Sequence, residues 1–412
     1  MNVPNTPRGI TLLTLVLLLA AGIFLRIHPW AGFKEAYDPA HGIKQVGFDE
    51  ALYIDYVDMI SAKGMASYPV ICEFYIYKQR GMPSAILPPT RFLYIFCAWL
   101  WHAATGWPAF HSLHAVSCLF TIFTLLLSVA FAWRLGGNAA MLGVTALMAV
   151  APTQIHMGQH ALIDGVFAFW ALCCLWLLWE NLRSPDNPLW LSLYAVSIAL
   201  MVMTKENAAF VYVALCGVTA AGWRLKIGRV TLKLLLVSAV GPLLGLAVLV
   251  NLAGGPGQFI TIYRLLVEKA YALEYAIRFC DGPWHRYLID LLLVSPLVLL
   301  PAIGAVFAVT REKKPQLFLL AFLTFSYLFM ANVKYGMNLR YANMWDMPLR
   351  YLAFSQLAVI GARFGRRETI ALAVMVAAVC LVELRQYFLI FVQFPMYELI
   401  SEALLRSVKM LK

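Results

Sequence analysis

The stretch SAILPPTRFLYIFCAWLWHAATGW, residues 84–107, decides the fold, because it is apolar enough to pass for a membrane crossing. A spanning helix needs about 20 predominantly apolar residues. This segment opens on Pro88-Pro89, carries Arg91 and is dense in Trp, Tyr and Phe. Aromatic-rich helices of that kind settle at the membrane–water interface rather than across it. Whether it crosses sets the side of every loop that follows.

Outward from it, the chain is one long series of apolar runs. Of 412 residues, 62% are hydrophobic and 13% charged, whereas soluble domains are about half apolar and about a quarter charged. No polar stretch is long enough for a second domain, so residues 1–412 read as a single membrane domain. Spans are expected near 10–27, 111–133, 139–155, 162–180, 189–203, 207–223, 230–252, 287–309, 316–333, 346–361 and 368–391. The expected architecture is all-α and polytopic, with about eleven to thirteen transmembrane helices. Arg26, His28, Pro29 and Trp30 follow the first run where a signal peptide would carry small residues, so that run reads as an uncleaved helix.

Loop charge places residues 84–107. If they do not cross, the connections at RLGG (134–137), NLRSPDNP (181–188), WRLKIGR (223–229), REKKP (311–315) and ARFGRR (362–367) share a side with the N-terminal PRG. All are short and basic, as cytoplasmic loops are. The opposite face receives the long loop 28–110, with its interfacial helices, and 253–286. The surplus of 32 Lys and Arg over 21 Asp and Glu then reports this bias and contact with anionic lipid, not nucleic acid. The C-terminal 395–412 reads as an amphipathic helix on an undetermined side.

The polar outliers gather on the non-basic face. Asp49 and Glu50 open GFDEALYIDYVDMI (47–60), with Tyr53 one turn on. Two readings stand for this pair: first-turn acids favoured by the helix dipole, or part of a site. His156, His160 and Asp164 recur every fourth residue, one face of a helix, as metal or phosphate ligands would. Asp164 opens a run with no other ionisable group until Glu180, and a carboxylate there implies a cavity or partner. Lys205 and Glu206 sit in TKEN, Arg340 and Tyr341 in NLRYANMWDMPLRY. Arginine suits phosphate because its fork donates two parallel hydrogen bonds. No Walker A loop, GxGxxG, GxSxG or HExxH is present. An external site without nucleotide needs a substrate already activated, most simply on a lipid carrier.

The ordered set of an Asp-Glu pair in the first external loop, Pro-Pro before aromatics, Asp164 at a span mouth, TK, and a late Arg-Tyr resembles the GT-C glycosyltransferases. More narrowly it resembles their bacterial branch related to protein O-mannosyltransferases and lipid A aminoarabinose transferases, over residues 10–360. The resemblance implies an inner- or plasma-membrane enzyme whose site faces the periplasm or exterior. It would transfer a hexosyl or pentosyl unit from a polyprenyl-phosphate donor to an extracytoplasmic glycan, lipid or protein. It further implies Asp49 as the catalytic carboxylate, taken here as base, with Glu50 beside it; as cations on that face, Arg340, Lys205, Arg91 and His160 are the donor-phosphate candidates. Asp164, Tyr341, Tyr53 and His156 become substrate contacts. No cofactor is expected, although Asp49, Glu50 and Asp164 could converge on a divalent metal. Cys72 and Cys280 lie in polar loops and could form a disulfide. A transporter or flippase, and an O-antigen ligase or polymerase, are the competing classes. Neither interrupted helices in repeated halves nor a dominant late external loop is visible to favour them.

Overall fold

A computed structural model describes residues 8–28, 37–38, 42–43 and 48–411. Apart from a two-residue antiparallel pairing of Tyr37–Asp38 with Gly42–Ile43, the described chain is helical. Much of the expected first loop, residues 29–36, 39–41 and 44–47, lies outside the described residues.

Helix α1 spans Arg8–Ile27, α2 Phe48–Lys63, α3 Tyr68–Gly81 and α4 Phe92–Thr105. The helical run α5, Ala109–Ala149, is broken at Gly136 and Gly137. Gly137 has φ 69°, a left-handed turn available to glycine at little cost, which makes the run a hairpin of two arms. After α6 (Pro152–Gly158) come α7 (Asp164–Arg183), α8 (Pro188–Val202), α9 (Ala208–Arg224) and α10 (Leu232–Leu252). Helices α11 (Pro256–Ala270) and α12 (Glu274–Phe279) occupy the second long loop. The span expected at 287–309 is broken at Ser295-Pro296 into α13 (Arg286–Val294) and α14 (Pro296–Phe307), since proline cannot donate the helical bond. Then follow α15 (Lys314–Met330), a 3₁₀ turn Leu339–Trp345, α16 (Asp346–Gly361), α17 (Glu368–Tyr387) and α18 (Ser401–Ser407).

Among the described residues, five stretches are long and apolar enough to cross a membrane: Gly9–Ile27, Ala109–Ala149, Asp164–Arg183, Leu232–Leu252 and Leu339–Gln393. The protein is therefore a multi-pass membrane protein. At one end Arg134 pairs with Glu180, Lys233 with Asp186, and the amide of Arg229 donates to the carbonyl of Leu182. At the other end residues 49, 50, 91, 161, 164, 205, 206, 340 and 398 are in contact. Connections thus alternate between two ends. With the helical runs 109–149 and 346–387 counted as hairpins, eleven crossings join the ends among the described residues.

Helix α4 is not one of the eleven. Its first turn is bonded to the first turns of α5, the Tyr94 hydroxyl donating to Leu113 O at 3.2 Å and meeting Ser117 Oγ at 2.9 Å, so the chain enters α4 and α5 at the same end. It packs with α2, α3 and the first turns of α5 in a cluster of its own, around Tyr53, Val57, Tyr68, Tyr75, Tyr94 and Leu113. Its Tyr53 reaches the site directly, accepting from Arg91 at 2.8 Å.

Elsewhere the bundle is held by close approach, as expected where lipid removes the hydrophobic drive between helices. Gly241 and Gly245 of α10 face α8 so closely that an added Cβ would meet the carbonyl oxygens of Ala195 and Ala199 at 2.9 and 2.6 Å. Fully buried Arg26 ends α1 by donating to the carbonyls of Met148 and Ala149, which closes the open end of the second α5 arm. Outward faces carry Leu12, Leu13, Leu17, Leu235, Leu243, Ile370 and Val374, apolar surface suited to lipid.

Candidate active site

The site is assembled from loops at the non-basic end of the bundle. Asp49 and Glu50 lie in the first turn of α2, where the helix dipole favours carboxylates. Adjacent residues on a helix point in different directions, and the two acids divide accordingly. Asp49 Oδ2 accepts a 2.7 Å bond from Arg340 Nη2. Glu50 Oε1 accepts from the amide of Ala161 at 2.9 Å, with His160 Nδ1 3.6 Å away. Tyr53, Tyr56, Val57 and Ile60 continue the buried face of α2, as their spacing predicts.

The Pro-Pro segment is pinned through its carbonyls, since prolines have no N–H to give. Tyr56 donates to Leu87 O and Tyr68 to Pro89 O, each at 2.6 Å. This fixes Arg91, whose guanidinium forks onto Glu206 and donates to the Tyr53 hydroxyl at 2.8 Å. Arg91 is therefore spent on protein partners. It ties the loop before α4 to the TKEN loop, helped by the Leu93 amide on Met203 O at 2.9 Å.

In that loop Lys205 Nζ donates to Asp164 Oδ1 at 2.6 Å and stands 3.9 Å from the centre of the Tyr341 ring. Burial lowers the Lys205 pKa, and the Asp164 charge opposes that shift. Glu206 experiences the reverse contest. Burial pushes its carboxyl up, but Arg91 more than offsets this and holds it below the usual range.

Arg340 is the hub. Asn338 accepts the Arg340 amide with its side chain and so starts the 3₁₀ turn. Besides Asp49, the guanidinium faces Asp164 Oδ2 from Nε at 3.7 Å and Glu398 Oε1 from Nη1 at 3.5 Å. Neither Nε nor Nη1 makes a hydrogen bond, although Arg340 is only 5% exposed. Behind it, Arg350 bridges Asp346 and Glu383, which bolts the start of α16 to α17.

Several expectations need correction. His156, His160 and Asp164 do not share one helical face, because α6 ends at Gly158 and α7 starts at Asp164. The two imidazoles pack edge to face at 4.5 Å, while Asp164 turns to Lys205. His156 is stacked on Phe391 and bonded to Tyr397 O, and burial depresses its pKa. Asp49 and Asp164 meet across the Arg340 guanidinium, a cation, while Glu50 turns to the Ala161 amide. No three His, Cys, Asp or Glu among the described residues gather as a metal-ligand set. Cys72 and Cys280 are both free and buried in separate apolar clusters, where Cys72 meets Leu252 O and Cys280 packs with Ala276 and Ile400.

Three residues went unassigned from sequence. Glu206 stood in the quoted TKEN, but its partner lies 115 residues away. Tyr397 and Glu398 belong to the tail, which returns over the site. The Leu339 amide donates to Leu399 O, and Asn338 Nδ2 to Glu398 Oε2 at 2.5 Å. The parity of eleven crossings was the available signal, since an odd number puts the two ends of the bundle's chain on opposite faces.

Residues 100–254 match the family model described as dolichyl-phosphate-mannose-protein mannosyltransferase. The fold is that of GT-C membrane enzymes. It is similar to ArnT from Cupriavidus metallidurans in the apo state, at 13% identity and TM-score 0.54 over 92% of this chain and 75% of that one. ArnT bound to undecaprenyl phosphate aligns at 14% identity and TM-score 0.52, over 98% and 76%. The archaeal oligosaccharyltransferase AglB from Archaeoglobus fulgidus, in complex with an inhibitory peptide and a dolichol-phosphate, aligns at 11% and TM-score 0.55 over 92% of this chain. The chain spans about half of AglB, 55% of its length. No curated protein sequence matches the chain significantly.

Proposed function

We propose that this chain is a membrane glycosyltransferase that moves a sugar from a polyprenyl-phosphate donor to an acceptor hydroxyl on the face holding Arg340. One observation carries the reading. A buried arginine holds Asp49 through Nη2 and keeps two nitrogens, Nε and Nη1, without hydrogen bonds. Unspent buried donors on a guanidinium suit a phosphate, whose charge grows as the sugar departs. The family match over 100–254 and the phosphate-carrier complexes of ArnT and AglB support a polyprenyl-phosphate donor.

In this reading Asp49 accepts the proton of the attacking hydroxyl, a contribution typically worth ~10²–10⁴-fold. The hydroxyl oxygen bonds to the anomeric carbon as the carbon–oxygen bond to phosphate breaks, so one displacement inverts that centre. Arg340 stabilises the leaving phosphate. Lys205, held by Asp164 and Tyr341, adds positive potential from the second layer. Glu50 anchors the His160 loop, and Arg91 positions rather than binds. The basic loops at the opposite end support a cytoplasmic position for that end, with the site facing the periplasm or exterior of the inner or plasma membrane. Membranes containing the chain should transfer label from a radiolabelled polyprenyl-phosphate sugar into a lipid, glycan or protein fraction. Absence of transfer from every mannosyl, glucosyl and aminoarabinosyl donor, with the protein correctly inserted, would refute the reading.

A further inference from the structure

The tail residue Glu398 occupies the quarter of Arg340 that the proposed donor would need, and the charges around it do not balance. Two cations, Arg340 and Lys205, face three carboxylates, Asp49, Asp164 and Glu398. A donor phosphate would make a fourth negative group. Asp49 and Asp164 are fixed by 2.7 and 2.6 Å bonds to Arg340 and Lys205. Glu398 stands 3.5 Å from Arg340 Nη1 without a hydrogen bond to it, and its side chain keeps 24% exposure. Of the three it is the one held to a cation by charge alone.

We propose that Glu398 is a placeholder for the donor phosphate: in the empty enzyme it neutralises Arg340, and the incoming phosphate displaces it. This rests on the phosphate reading of Arg340 given above. The geometry permits it, because residues 394–400 are not part of a helix and Glu398 can leave Arg340 while the Leu339–Leu399 backbone bond stays in place. Glu398 then sets donor affinity. Its return to Arg340 competes with the spent polyprenyl phosphate and helps clear the site.

The test is equilibrium binding of undecaprenyl phosphate to the purified full chain in detergent, comparing wild type with Glu398→Gln, Glu398→Asp and Arg340→Gln. Glu398→Gln keeps an oxygen for Asn338 and loses the competing charge, so it should bind more tightly by roughly five- to tenfold. Glu398→Asp, which keeps the charge on a shorter stem, should lie between that variant and wild type and carries the test if the glutamine variant does not fold. Arg340→Gln should bind more weakly. If Arg340→Gln weakens binding while both Glu398 variants match wild type or bind less well, the phosphate site stands and the placeholder is wrong. If Arg340→Gln binds as wild type does, the phosphate assignment fails and the placeholder falls with it.

Discussion

Arg91 separates a phosphate ligand from a structural clamp, and the structure predicts the clamp. In Arg91→Ala, Glu206 keeps its charge without its forked partner and Tyr53 loses its donor. Breaking a buried ion pair from one side costs about 3–5 kcal/mol. Glu206 retains 28% side-chain exposure, so water reaches it and the cost should fall to about 2–3 kcal/mol. The double variant Arg91→Ala/Glu206→Ala should recover about 1 kcal/mol, because no orphan charge remains. The pH dependence gives a second readout. The Glu206 pKa is lower in the folded chain than in the unfolded one. Its contribution is therefore complete above the ordinary glutamate range and disappears as pH falls through the lowered value. Arg91→Ala should flatten that acid limb. Thermal unfolding in detergent across pH, beside donor KM, is the assay. Wild-type stability with a raised donor KM would refute the clamp and restore Arg91 to the phosphate.

Three further outcomes follow from the packing and the caps. Gly245→Ala puts a Cβ 2.6 Å from a backbone oxygen, so α8 and α10 must separate, and a loss of about 1–3 kcal/mol is expected in detergent unfolding. Arg26→Met leaves the Ala149 carbonyl without its side-chain donor and leaves Met148 O with backbone donors only, and should cost about 1–3 kcal/mol by the same measurement. Reduction should leave electrophoretic mobility unchanged in wild type and in Cys72→Ser, since the two thiols occupy different clusters.

The helices were legible because their signal is local. Runs of about 20 apolar residues flanked by short basic loops needed no tertiary information, and the proline-led segment 84–107 forms a short helix, α4, that begins just after its Pro-Pro. The residues that meet at Arg340 were legible as outliers, since ionisable groups at span mouths are costly and so seldom incidental. Their partners were not. Arg91 and Glu206 are 115 residues apart, and nothing local distinguishes a guanidinium that clamps from one that binds. The fourfold recurrence of His156, His160 and Asp164 misled because residues 159–163 leave the helix, and a period of four means nothing across such a break. The Cys72–Cys280 pairing failed for a related reason: both loops were polar on average, but each thiol sits in its loop's apolar minority. Glu398 escaped notice because an amphipathic tail says nothing of what it folds back upon.

In the proposed reaction Asp49 takes the acceptor proton, and Glu50 anchors the neighbouring loop. The most direct measurement is the initial rate of sugar transfer by purified wild type, Asp49→Asn and Glu50→Gln at matched folding. Asparagine keeps the shape and the contact to Arg340 but cannot act as a base, so its rate should fall by ~10²–10⁴-fold while Glu50→Gln retains measurable turnover. A rate for Asp49→Asn equal to wild type would contradict the account.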